Sequence, residues 1–193
     1  MTMTAEQFHK RMWETLEDVD TDYFEALSAR APDVDAVASL EAAVGFPLPA
    51  AFVAFCQRSN GLCIKAREDV WPYAQEFEVA PAWTFWRGLV LLGIDAPDLP
   101  EWASISVQQR RLAEAGLPGI LPVLKIVGDG SRIWGIDQAG TILVIDDMTD
   151  PEPLSGDFTD LYAEQIAELL QRQQDMTQRL AERATRKKGK LPG

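Results

Sequence analysis

The hydrophobic pattern of much of the chain is that of amphipathic helices. Apolar residues recur every three or four positions, which is the spacing of one helix face. An acidic stretch at 17–22 divides the first such segment, and Gly45 is placed to end a later helix in the left-handed backbone conformation. The pattern predicts two helices within 4–30 and helices over 35–44, 50–59 and 104–115. It also predicts a closing helix that is capped by Asp157 and whose apolar pattern thins beyond Gln171 to Met176 and Leu180, where docking on the domain is not expected.

The strand-like runs lie mainly in the second half of the chain. Three short apolar runs are separated by Gly-, Asp- and Ser-containing segments of hairpin length, which predicts an antiparallel meander. The predicted strands cover 119–127, 132–137 and 141–146, with two more near 74–79 and over 89–94 in the tryptophan-rich middle. Helices packed on a single, mainly antiparallel sheet make the expected fold class α+β.

The order of these elements suggests one domain with appendages. A chain of 193 residues has the size of a single domain. We expect an N-terminal helical extension (1–33), an α+β domain (34–171) and a basic, partly disordered C-terminal tail (172–193).

The residue inventory excludes most enzyme classes. The chain has one histidine, His9, and two cysteines, Cys56 and Cys63, too few for a typical zinc site. The cysteines are not spaced as a C-x-x-C redox pair, and we expect them to be small buried side chains. No P-loop and no G-x-G-x-x-G motif occurs. We therefore expect no enzymatic activity, no cofactor and no metal.

Charge is distributed unevenly along the chain. The net charge is −12; residues 172–193 carry seven basic and two acidic side chains, which leaves residues 1–171 with 11 basic and 28 acidic, or −17. A body of that charge repels nucleic-acid phosphate and suits docking on a basic protein. No apolar run is long enough to cross a bilayer, and the N-terminal sequence has no secretory h-region. The sequence predicts a soluble, cytoplasmic protein without membrane contact.

A string of residues in the first third of the chain resembles the opening signature of the SUKH superfamily. In that family a helix bearing Leu-Glu is followed by Gly and Leu-Pro, and a second helix then ends in Asn-Gly. The residues that carry the resemblance are Leu40-Glu41, Gly45, Leu48-Pro49 and Asn60-Gly61, within VASLEAAVGFPLPAAFVAFCQRSNG at 37–61, together with ILPV at 120–123. The resemblance spans about 34–171.

The resemblance implies a binding protein that makes and breaks no bond. Bacterial SUKH proteins are typically immunity proteins of toxin–antitoxin and polymorphic-toxin systems, and fungal relatives act in cell-wall assembly signalling. Many of the toxins are nucleases, whose surfaces are basic to hold phosphate, so an acidic inhibitor would complement them. The implied partner is a cognate toxin domain encoded nearby.

Exposed acids beside aromatic residues are the candidate contact sites. An aromatic anchor with an acidic rim is typical of protein interfaces. The candidate partner-binding residues are Glu68, Asp69, Trp71, Tyr73, Asp146 and Asp147. The alternatives are that Trp71 packs over the sheet edge and that the acids at 146–150 form a solvated loop.

Two other function classes stay open at this point. The chain suits a regulatory or adaptor protein that binds an endogenous partner. A carboxylate-based hydrolase would use Asp137 and Asp146, if adjacent strands bring them together.

Overall fold

The structure is a computed structural model that describes residues 3–67, 88–127, 132–147 and 150–188. This part of the chain contains five α-helices and seven β-strands. The helices are α1 (Ala5–Glu14), α2 (Val34–Val44), α3 (Ala50–Ser59), α4 (Ile105–Glu114) and α5 (Phe158–Lys188). The strands are β1 (Phe24–Ala29), β2 (Asn60–Ala66), β3 (Gly88–Leu91), β4 (Ile120–Val127), β5 (Ile133–Asp137), β6 (Ile142–Ile145) and β7 (Glu152–Pro153).

The seven strands form one sheet in which each strand pairs with its sequence neighbour. Every pair from β1–β2 to β6–β7 is antiparallel. The predicted α+β class, the β4–β5–β6 meander and helices α2, α3 and α4 are confirmed. The strand that the sequence predicts near 74–79 lies outside the described residues.

The second predicted helix of the N-terminal extension is wrong, because its residues form the edge strand β1. Phe24 is 2% exposed, and β1 pairs with β2 from Phe24↔Ala66 to Ala29↔Asn60. Asp20 turns the chain before the strand by accepting a hydrogen bond from the backbone N–H of Asp22. Hydrophobic periodicity cannot distinguish a strand from a helix in so short a segment. The segment becomes a strand here because it pairs with the edge of β2.

The connection between α2 and α3 is fixed by one side chain of α2. The carboxylate of Glu41 accepts a hydrogen bond from the backbone N–H of Leu48 at 2.9 Å. Gly45 ends α2 with φ +84°, as its sequence position predicts. Leu40 and Leu48 are both buried in the core. This geometry sets the angle at which α3 enters the domain.

Asn60 joins three segments of the fold. Its side chain is completely buried and donates to the carbonyl oxygens of Arg30 at 2.9 Å and Ile94 at 2.8 Å. Its amide oxygen accepts from the backbone N–H of Ile94 at 2.9 Å. Gly93 packs so close to Asn60 that an added Cβ would clash with it. The Asn-Gly pair therefore locks the end of β1 and the chain after β3 onto β2.

Helix α5 continues well beyond the residue at which the sequence pattern weakens. Tyr162, Ile166 and Leu169 belong to the main core. Gln173 and Met176 are still buried, so the helix packs on the domain beyond Gln171, where the thinning pattern predicts no docking. The described helix runs to Lys188, so most of the basic segment that begins at residue 172 is helical. Within the described ranges, no helix has both the length and the apolar character that a bilayer span requires.

Candidate functional site

A cleft of about 320 Å³ opens where strands β5, β6 and β7 meet helix α5. It combines three apolar or aromatic side chains with five polar ones, three of which are acidic. Its lining residues are Arg132, Trp134, Val144, Asp146, Asp150, Glu152, Leu154 and Gln165. We refer to it as the β5–β7 cleft. Concave sites with a few converging polar groups are the usual form of a binding site.

Strand register explains why these residues meet. Trp134 pairs with Val144 across β5 and β6, and Val144 pairs with Glu152 across β6 and β7. Directly paired residues point to the same face of a sheet, and alternate residues along a strand do so as well. Arg132 and Asp146 therefore lie on the same face as the Trp134–Val144 pair, at the end of the β5–β6 hairpin away from its turn.

The acidic side chains of the cleft outnumber its one basic side chain, Arg132. Three carboxylates, those of Asp146, Asp150 and Glu152, face one guanidinium, that of Arg132. The Arg132 Nη2 to Asp146 Oδ2 distance is 3.5 Å, and both side chains are about half exposed. Among the residues that the structure describes, Asp150 and Glu152 form no ion pair. The cleft thus has a formal net charge of −2.

One of the six predicted partner-binding residues lines this cleft. Asp146 does so, whereas its neighbour Asp147 is exposed outside the lining with a positive φ of 50°. The other predicted residues, Glu68, Asp69, Trp71 and Tyr73, lie outside the described part of the chain.

The carboxylate pair considered for a hydrolase is not brought together. The backbone N–H of Asp137 bonds to the carbonyl of Thr141 at the turn end of the β5–β6 hairpin, whereas Asp146 lies at the opposite end beside Arg132. Five residues of strand separate the two positions, about 16 Å. The Asp137 carboxylate instead accepts from the backbone N–H of Thr141 at 2.8 Å and stabilises the turn. That pair does not act as one acid–base device.

The sequence did not identify Trp134 and Glu152 as site residues, and it marked Asp150 only as the end of the acidic stretch 146–150. The segment after β6 reads as a proline-containing loop, so its addition to the sheet as β7 is not evident. A signal was nevertheless present in the short turn between β5 and β6. Its length sets the hairpin register, and that register pairs Trp134 with Val144.

The two thiols are unsuited to nucleophilic chemistry. Both cysteines are free and buried. Burial raises the pKa of Cys56 to about 12 and that of Cys63 to about 11. A thiol with such a pKa is protonated at neutral pH, and the thiolate is the reactive form. The prediction that these residues are small buried side chains is confirmed.

Metal-ligand geometry is likewise missing from the part of the chain that the structure covers. No three His, Cys, Asp or Glu side chains of the described residues come together in a way that would hold an ion.

Comparison of the chain with protein-family models finds no match, and comparison with curated proteins finds none either.

Proposed function

We propose that this protein is a non-enzymatic, SUKH-type immunity protein. It neutralises a cognate toxin domain, a nuclease in the simplest case, by covering the toxin's basic surface with an acidic one. It acts in the cytoplasm, and its main body makes no contact with nucleic acid.

The observation that carries the proposal is the set of contacts made by the SUKH-like string. Glu41 binds the backbone of Leu48, Gly45 has a left-handed φ, and Asn60 links three segments through its buried amide. Each residue of the string thus has a defined task in building the fold. Residues with such structural roles define a fold, and this supports a relationship to the SUKH family. The partner would then be recognised by other surfaces of the protein.

Charge supports the mode of action. Residues 1–171 carry −17, and complementary potential accelerates and orients association with a basic partner. The β5–β7 cleft supplies a concave, negatively charged feature on that surface. Neutralisation by occlusion needs no catalytic group, in accord with the high pKa values of the thiols.

Co-expression tests the proposal. The toxin domain encoded beside this chain is expressed in bacteria with and without it, and growth and complex formation are measured. We expect growth to be restored and a complex whose Kd rises about tenfold or more between 50 and 300 mM NaCl. An unrelated nuclease toxin is the matched control and should still kill.

Lack of both rescue and complex with the adjacent toxin would contradict the immunity proposal. A stable complex with a host protein, formed without any toxin gene nearby, would favour the adaptor alternative instead. A complex that is insensitive to salt would leave immunity in place and remove the electrostatic mechanism.

A further inference from the structure

The carboxylates of the β5–β7 cleft are not equivalent. Asp146 already has the guanidinium of Arg132 beside it. Asp150 and Glu152 have no cationic partner among the described residues, although both line the same concave surface. A positively charged group that enters the cleft is therefore drawn toward Asp150 and Glu152, while Arg132 repels it from the Asp146 side.

The floor of the cleft is aromatic. Trp134 is 5% exposed, and it lines the cleft between the strands. Tryptophan is the aromatic residue that attracts cations most strongly.

We propose that the β5–β7 cleft is a receptor for an arginine side chain of the protein partner. The inference deepens the proposed function, on which it rests. The guanidinium would stack against Trp134 and donate hydrogen bonds to Asp150 and Glu152. Its methylene stem would cover Val144 and Leu154, and the amide oxygen of Gln165 offers one further acceptor.

Arginine fits this lining better than lysine for two reasons. Its planar fork offers five donors that can serve two carboxylates at once, whereas an ammonium is a compact charge. Guanidinium is also more weakly hydrated, so entry into a half-enclosed cleft with an indole wall costs less desolvation free energy. Arginine anchors in such pockets frequently dominate the affinity of protein complexes.

The binding test uses a small probe and the whole chain. N-acetyl-arginine methylamide is titrated into the ¹⁵N-labelled protein, and the Trp134 indole resonance, assigned through Trp134→Phe, is followed by NMR. We expect a saturable shift, and at equal ionic strength N-acetyl-lysine methylamide should bind about fivefold or more weakly. The double variant Asp150→Asn/Glu152→Gln should weaken arginine binding about tenfold or more.

Glu114→Gln provides the matched control for charge removal. Glu114 is exposed on α4, outside the cleft, and its replacement should leave arginine binding unchanged. An indole resonance that does not respond, equal affinity for both probes, or full binding by the double variant would overturn the proposal. A spectrum with retained dispersion verifies that each variant is folded.

The same variants separate this proposal from the proposed function. If the Kd of the toxin complex is at least tenfold higher for the double variant than for Glu114→Gln, the cleft is the site that binds the partner's arginine. If the complex and growth rescue persist in the double variant while arginine binding is absent, the protein is an immunity protein that uses another surface. If arginine binds and no toxin is neutralised, the cleft serves a different basic partner.

Discussion

At the scale of single residues, Asn60 shows how much one buried amide contributes to a fold. Its three hydrogen bonds involve the main chain of Arg30 and Ile94, in segments far from it in sequence. A buried polar group that loses its partner costs about 1–3 kcal/mol. Asn60 is therefore a stronger determinant of stability than its position at the end of a helix indicates.

Asn60→Ala should lower the free energy of unfolding by about 3 kcal/mol, because it leaves the buried main-chain N–H and C=O of Ile94 unpaired. Urea denaturation monitored by circular dichroism measures the change. Gln57→Ala is the nearby control, since its exposed side chain makes a single 3.3 Å hydrogen bond to Pro32, and it should cost less than about 1 kcal/mol. Equal effects of the two substitutions would refute the role given to Asn60.

Tyr162 presents the opposite situation. The side chain is completely buried, and its hydroxyl has no hydrogen-bond partner in the described part of the chain. Burial raises the pKa of this phenol, so it stays neutral. Removal of an unsatisfied hydroxyl also removes its desolvation cost.

Tyr162→Phe should leave the free energy of unfolding unchanged or raise it by about 1 kcal/mol, as measured by urea denaturation. Tyr162→Ala should lower it by about 3–5 kcal/mol, because the ring fills the core. A loss of more than about 1 kcal/mol in Tyr162→Phe would mean that the hydroxyl has a bonding partner.

The chain has one histidine, so the effect of its protonation can be isolated. Burial and, to a lesser extent, the nearby Arg58 guanidinium lower the pKa of His9 below 6.5. The unfolded chain then takes up this proton more readily than the folded one, so His9 makes stability fall as pH decreases through 6.5 and below.

The loss of unfolding free energy between pH 7.5 and 5.5 should be larger in the natural chain than in His9→Gln. Urea denaturation at several pH values gives the free energy of unfolding as a function of pH for both proteins. The pH dependence is compared rather than the absolute stability, because a packing change caused by the substitution shifts stability equally at every pH. Parallel slopes in the two proteins would show that His9 has an unperturbed pKa.

At the scale of elements, the start of α5 depends on Asp157. Its carboxylate accepts hydrogen bonds from the hydroxyl and the backbone N–H of Thr159, which is the geometry of a helix cap. Arg11 of α1 forms ion pairs with both Asp157 and Asp160, so the same turn also holds α1. The hydrogen bonds from Thr159, with a smaller contribution from Arg11, lower the pKa of Asp157 below 3.8.

Asp157→Ala should lower the free energy of unfolding by about 1–2 kcal/mol at pH 7. Because the folded pKa is depressed, this contribution is present above about pH 4 and is lost as pH falls through the folded value. Thermal unfolding at pH 7 and pH 3 measures both effects. Glu164→Ala, an exposed acid on the same helix, should change stability by less than about 0.5 kcal/mol at either pH.

Elements with clear end signals were predictable from the sequence. Gly45, Ser104 and Gly116 mark the ends of α2 and α4, and the structure places them in capping or left-handed positions. β1 was not predictable, because a six-residue segment of mixed polar and apolar residues takes its conformation from the strand beside it. The packing of the far part of α5 was not expected, because one of its buried positions is the polar Gln173 and Met176 stands among polar neighbours in the sequence.

At the scale of the whole molecule, the candidate site was only partly predictable. Composition located the negative charge, and Asp146 was singled out. Trp134 and Glu152 meet in the cleft because the register of β5, β6 and β7 aligns both of them with Val144. β7 has only two residues, and no local sequence pattern predicts it. Sites assembled from several elements depend on such register, whereas each helix depends mainly on its own sequence.

The pairing of β1 with β2 has a consequence for any shortened form of the protein. β2 is almost wholly buried, and β1 covers one of its long sides. A fragment that starts at residue 34 would leave that side with unsatisfied amides along an apolar strand, a template for edge-to-edge aggregation. We expect this fragment to self-associate in light scattering while the full chain stays monodisperse; a monodisperse fragment would show that β1 is dispensable for solubility.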